Sequence, residues 1–311
     1  MRLQRLHIRE SEHRREAEER RQQAALESSL LQLNGLTIHR DDGKEMKPII
    51  QNVSMAVHPG ETVALVGESG SGKSITASAV LGMLPRTLRV TGGQILFQGE
   101  NIVAWPANKR RKLCGKEIGF VLQDYQGSFT PFLKIGNQLV ETIRSHVHIP
   151  YRLAKEMVLE SLAQMGLPAE RVFASYPFQL SGGQLQRAAL AAVMMLKPSL
   201  LIADEPTTAL DVLNGERVLD ELDRLKRLTG CAVLMISHDL RQVWKRADHI
   251  AVMRSGMIVE RGKAAEIREA ARHPYTRMLL RAKPSLADIQ AGHIWEVENM
   301  DAITRLPGGQ A

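Results

Sequence analysis

Two cysteines in 311 residues, Cys114 and Cys231, are too few for a disulfide framework or a thiolate metal cluster. Both read as inert thiols in a reducing compartment. Aromatic residues make up only 4% of the chain, which leaves few platforms for stacking nucleic-acid bases despite a net charge of +7. No stretch approaches the roughly 18–20 uninterrupted apolar residues of a membrane span, and the charged N-terminus lacks the apolar core of a secretory signal. The basic residues are dispersed. Their surplus suits either a solvated surface or a protein working against the anionic cytoplasmic face of a membrane. What is present is ordinary for a folded protein, with 44% hydrophobic and 24% charged residues. The length allows roughly two domains.

The chain is organised around residues 63–74, VALVGESGSGKS. The run from Val63 to Val66 reads as a buried strand. It leads into Gly67, Glu68, Ser69, Gly70, Ser71, Gly72, Lys73, Ser74 and Ile75, where the spacing matches G-x-x-x-x-G-K-[ST]. The glycines let backbone N–H groups curl toward phosphate oxygens, and the following helix aims its N-terminus at the same charge. Lys73 is placed to reach the β- and γ-phosphates, and the Ser74 hydroxyl to hold Mg²⁺. An ordinary Gly-rich turn is the alternative, and the strand before and helix after argue against it. Alone, the motif says that a nucleoside triphosphate is bound.

Residues 1–29 form a charged arm of mixed sign, with Glu10/Arg14 and Glu16/Arg20 at the spacing that supports a solvated helix. The folded part is expected over 30–285. A strand over LLQLNGLTIHR, a turn at DDGKEMK and a strand alternating over Val53–Val57 suggest an antiparallel edge beside an α/β core. After the loop come a helix from Ile75 to Met83, a hairpin-like TGGQILFQGENI and a buried strand at Ile118–Leu122. Between about 124 and 194 the pattern turns helical, with helices expected over 134–147, 151–165 and 184–196. SLLIADEP then returns as a strand apolar on both faces, as parallel strands are. A helix at 215–228, the strand CAVLMIS, a helix at 240–247, the hairpin IAVMRSG–MIVERG and a short helix at 264–272 follow. Residues 286–311 carry no pattern to which a role attaches.

Further chemistry sits at strand ends. Asp204 and Glu205 end one strand; a carboxylate there can hold Mg²⁺ and its neighbour can polarise an attacking water. His238 ends another, where an imidazole near a phosphate can donate to it and position the water. Gln123 ends a third and by itself reads as a surface residue. LSGGQLQR, residues 180–187, places Ser181, Gly182, Gly183 and Gln184 at a second helix N-terminus suited to an anion. One triphosphate does not need two cradles, so this second one points to function in a pair.

Taken together, the phosphate loop, Gln123, LSGGQ at 180–184, LLIADEP, Asp211 and His238 resemble the nucleotide-binding subunit of ATP-binding-cassette (ABC) transporters over about 30–285. The resemblance implies a P-loop ABC-type α/β fold with an antiparallel β edge and a helical insert. It implies ATP and Mg²⁺ as cofactors, with Ser74, Gln123 and Asp204 as the metal side. Glu205 is then the general base, Lys73 and His238 stabilise charge, Ser181–Gln184 is the signature, and Asp211 lies at a dimer interface. HPYTRMLLRAKP at 273–284 and YPFQLSGGQLQR resemble the oligopeptide, dipeptide and nickel importers. Within that branch, GESGSGKSITASAVLGMLP and the absence of cysteine after Cys231 resemble nickel, cobalt or metal–metallophore uptake, with peptide import as the alternative. Implied partners are integral-membrane permease subunits, a second ATPase (a heterodimer before a homodimer) and an external solute-binding protein, with no nucleic acid. The place of work is the cytoplasmic face of the membrane. Two positions depart from relatives: His39 stands where an aromatic residue usually stacks on adenine, and Thr130 replaces a common Asn.

Overall fold

The computed structural model describes residues 29–43, 45–121, 127–207 and 212–281. Strand β1 (Leu31–Asp41) pairs antiparallel with β2 (Met46–Val57) on one edge and with β4 (Leu88–Phe97) on the other. With β5 (Glu100–Asn101) these make a four-stranded sheet ordered β2-β1-β4-β5. Alternation does the work here: Leu31, Leu33, Leu36 and Ile38 of β1 are buried, while the residues between them are mostly half-exposed. The expected antiparallel edge is therefore a sheet of its own.

The second sheet has six strands in the order β10-β9-β3-β8-β7-β6. They are β3 (Thr62–Val66), β6 (Ile118–Val121), β7 (Leu200–Asp204), β8 (Ala232–Ser237), β9 (His249–Arg254) and β10 (Met257–Lys263). All pairings are parallel except that of β10 with β9. Strands covered on both faces need apolar side chains on both. Val63, Leu65, Leu200, Ile202, Leu234 and Ile236 pack toward the four-stranded sheet. Ala64, Val66, Leu201, Ala203, Val233 and Met235 pack toward a layer of helices.

Helix α1 (Lys73–Leu81) lies on the first of these faces. It starts inside the phosphate motif, two residues before the expected Ile75, because Gly72 caps it in a left-handed conformation at φ 109°. Then comes α2 (Ala107–Leu113). Between β6 and β7 run α3 (Ile135–His146), α4 (Tyr151–Gln164), α5 (Ala169–Ala174), a 3-10 turn at Pro177–Gln179 and α6 (Gly182–Met194). Three of these helices were expected; α5, only six residues long, shows too little periodicity to read. The block holds together by burying Leu139, Ile143, Val158, Leu162 and Leu190, each contributing about 1.5–3 kcal/mol. The chain continues through α7 (Val212–Thr229), α8 (Leu240–Arg246), α9 (Ala264–Ala270) and α10 (Pro274–Arg281). No helix among the described residues is long and apolar enough to cross a membrane.

Candidate nucleotide site

Parallel register brings the strand ends abreast. Val66 of β3 pairs with Ser237 of β8, and Asp204 of β7 pairs with Ile236 of β8. The segments that follow, 67–74, Glu205 and His238, thus leave the sheet at one carboxyl-terminal edge, where open α/β sheets bind ligands.

The loop is packed from behind. A Cβ on Gly67 would come within 2.1 Å of the Met253 carbonyl oxygen, so no side chain fits there. A Cβ on Gly72 would meet Ile50 Cδ1 at 2.5 Å. The Gly256 N–H, in the β9–β10 turn, donates to the Ser71 carbonyl at 2.9 Å. Lys73 is only 5% exposed, and its Nζ donates to the carbonyls of Gly67 and Glu68, both at 2.8 Å. Burial lowers the Lys73 pKa, and the nearby carboxylates of Glu205, Asp204 and Glu68 oppose that shift. A buried ammonium beside an exposed run of loop backbone at Glu68–Gly70 suits a polyanion.

Ser74 Oγ donates to Asp204 Oδ1 at 3.2 Å, across 130 residues. Burial pushes the Asp204 carboxyl up; the Ser74 hydrogen bond pulls it down, and the Glu205 charge adds to the rise. A hydroxyl and a carboxylate side by side at the mouth of the cradle are the hard oxygen donors that Mg²⁺ prefers, with phosphate and water completing its shell. The residues present therefore fit MgATP. Glu205 turns the chain out of β7 in a left-handed conformation, φ 48°, with its N–H donating to the Ile236 carbonyl at 2.9 Å. Its carboxylate Oε1 lies 3.0 Å from His238 Nδ1. The structure brings Lys73, Ser74, Asp204, Glu205 and His238 to this edge.

The other predicted residues fall elsewhere. Ser181 caps α6: its hydroxyl accepts from the Gln184 N–H at 3.3 Å, and Gln184 Oε1 accepts from the Ser181 N–H at 3.1 Å. Gly182 and Gly183 form the first turn, and nothing lies within 4 Å of a Cβ built on Gly183. His39 sits on β1 with Nδ1 2.6 Å from Thr91 Oγ1 of β4. Gln123 and Asp211 lie outside the described residues. A buried polar residue of α6 escaped the sequence reading. Gln186, 1% exposed, donates through Nε2 to the Pro206 carbonyl at 3.1 Å and so ties α6 to the turn after β7. Its only signal was a polar residue within the buried stripe of α6, beside Leu185 and Ala188.

Fold and site define a P-loop α/β nucleoside triphosphatase. Residues 50–208 match the family described as ABC transporter, and residues 259–309 match the oligopeptide/dipeptide transporter C-terminal region. The metal-staphylopine import system ATP-binding protein CntD of Staphylococcus aureus is 37% identical over 261 residues, 84% of this chain and 95% of its own. A putative peptide import ATP-binding protein of Brucella ovis is 40% identical over 267 residues, 83% of this chain and 79% of its own. The dipeptide transport ATP-binding protein DppD of Escherichia coli is 38% identical over 261 residues, 83% of this chain and 80% of its own. The ATP-binding cassette MJ0796, in a dimeric post-hydrolysis state with ADP and Pi, superposes with a TM-score of 0.66 at 26% identity, covering 75% of this chain and 98% of that one. The chain belongs to the ABC transporter family, in its oligopeptide, dipeptide and nickel–metallophore importer branch. It is an ATP-binding, ATP-hydrolysing importer subunit that uses Mg²⁺, in the architecture of permease, ATPase and solute-binding protein. The second family match extends to residue 309, over the tail that carried no readable pattern.

Proposed function

We propose that this chain powers import of short peptides, acting at the cytoplasmic face of a membrane beneath permease subunits. The observation that carries the substrate class is the match of residues 259–309 to the oligopeptide/dipeptide C-terminal region. Relatives named for peptide and dipeptide import, at 40% and 38% identity, support it. Together these favour peptides over the metal preference drawn from the motifs and the missing cysteines. A nickel, cobalt or metal–metallophore cargo is the second reading. It is favoured by the staphylopine-system relative, of whose length 95% is matched, and by the absence of cysteine after Cys231.

The catalytic reading assigns roles to the residues on the sheet edge. Mg²⁺, held by Ser74 and Asp204 and on the family pattern by Gln123, neutralises phosphate charge when bound. Lys73 and backbone N–H groups of the loop at the start of α1 hold the phosphates, and Glu205 orients the attacking water and draws its proton. His238, bonded to Glu205 through Nδ1, holds that carboxylate in place. Ser181–Gln184 opens a helix whose first turn, at Gly182 and Gly183, has space above Gly183, the half-site for a nucleotide on a second ATPase. A heterodimer is the proposed pairing, with Asp211 at its interface and His39 beside adenine. The proposed division is an arm over 1–29, the cassette over 30–285 with its helical insert at about 124–194, and a tail over 286–311.

The test is uptake in cells lacking this chain, complemented with wild type or with Lys73→Ala. Labelled di- and oligopeptides are compared with labelled nickel and cobalt, with and without a chelator. Loss of peptide uptake alone is expected. Loss of metal uptake alone would replace it with the second reading.

A further inference from the structure

The peptide unit joining Gly67 to Glu68 is gripped from both sides. Its carbonyl accepts from Lys73 Nζ at 2.8 Å. Its N–H donates to the phenolic oxygen of Tyr275, at 3.0 Å and 207 residues away. A peptide group is planar, with its C=O and N–H opposed, so fixing one fixes the other. Tyr275 is itself well held. It is 3% exposed, and the Arg254 guanidinium lies over its ring at 4.8 Å from the centroid. Its N–H donates to His273 Nδ1 at 3.2 Å. Glu260 of β10 accepts from the N–H groups of Arg272 and His273 at 2.7 and 3.1 Å, which anchors the entry to α10. Burial pushes the phenol above its ordinary pKa, so it stays a neutral hydroxyl.

We propose that Tyr275 is a positioning residue of the nucleotide site: its hydroxyl sets the plane of the Gly67–Glu68 peptide, and through the Gly67 carbonyl the place of Lys73 Nζ. The helix that closes the described chain is then part of the phosphate cradle's support. Without the hydroxyl, the peptide can rotate about its flanking bonds, and Gly67, having no side chain, offers little resistance. The lysine loses a fixed resting place, and phosphate binding has to order it anew. The proposal rests on reading Gly67–Ser74 as the ATP site.

Tyr275→Phe keeps the ring and its contact with Arg254 and removes only the oxygen. In the full-length chain it is expected to raise the ATP dissociation constant about fivefold, the scale of one hydrogen bond lost with its amide left unpaired. The melting temperature in the absence of nucleotide should stay close to wild type. Exchange of the Glu68 amide should quicken by about tenfold or more while that of Leu65 in β3 does not, since local and global opening differ in this way. Unchanged ATP affinity overturns the proposal, as does equal quickening at Glu68 and Leu65, which marks a loss of global stability. Lys73→Ala measured beside it separates the two levels. If Lys73→Ala binds ATP normally, the reading of the loop itself fails; if it loses binding while Tyr275→Phe is normal, only the role of Tyr275 fails.

Discussion

The two anion-binding helix ends of this molecule are built differently. The phosphate loop before α1 is braced on several sides: Met253 fills the space beside Gly67, the Gly256 N–H holds Ser71, and Lys73 is buried against two carbonyls. The end of α6 is held by its own capping pair, Ser181 and Gln184, and by Arg187 on the Gly183 carbonyl, with open space over Gly183. The first is a pocket prepared for a charge before the charge arrives. The second is a surface, fully formed as a helix terminus yet lacking the walls of a site. Anchoring follows the same division. Gln186 fixes the helix from behind through Pro206 while its start, at Ser181 and Gly182, stays exposed. A half-site made in this way is rigid without being closed, as pairing across an interface requires.

The comparison breaks most sharply at Glu205. Glu205→Gln keeps the size of the side chain and a group for His238 to bond, but cannot take a proton. ATP binding should persist while turnover falls by about a hundredfold or more. The variant should also hold a nucleotide-bound pair long enough to appear as a larger species on sizing. Turnover near wild type would remove Glu205 from the role of base.

A smaller effect separates catalysis from stability within the braced site. Burial raises the Asp204 carboxyl above its ordinary 3.8, so keeping it ionised costs the free protein stability. For an acid raised in the folded state, that cost is complete above the folded pKa and vanishes as pH falls through 3.8. Asp204→Asn should therefore abolish hydrolysis yet raise the melting temperature at neutral pH, by about 2–4 °C for each kcal/mol recovered. The gain should shrink on acidification. A lower melting temperature at pH 7 would mean that the carboxylate is a net stabiliser through Ser74 and Lys73.

What could be read from the sequence follows the distance over which each feature is written. The phosphate loop lies within eight consecutive residues, and its strand and helix flank it directly, so fold class and nucleotide site were legible together. Asp204, Glu205 and His238 were legible because each follows a run of apolar residues long enough only for a buried strand. The pairing of β1 with both β2 and β4 was not, since register across a sheet leaves no mark in either strand alone. Gln186 and Tyr275 were missed for the same reason: their partners are backbone groups 20 and 207 residues away. A backbone acceptor or donor has no residue type to betray it. The early start of α1 depended on the left-handed Gly72, which the motif supplies for phosphate and the helix uses as a cap.

The measurement that tests the two-cradle account most directly is ATP binding and turnover in Gly183→Asp. The added side chain has open space, and an acid in the first turn of a helix is favoured by its dipole, so α6 should remain folded. The account predicts unchanged ATP affinity in the isolated chain and, with the transporter assembled, turnover lower by about a hundredfold, since a negative charge now faces the second nucleotide. Normal turnover in the assembled complex, or a loss of ATP affinity in the isolated chain, would contradict it.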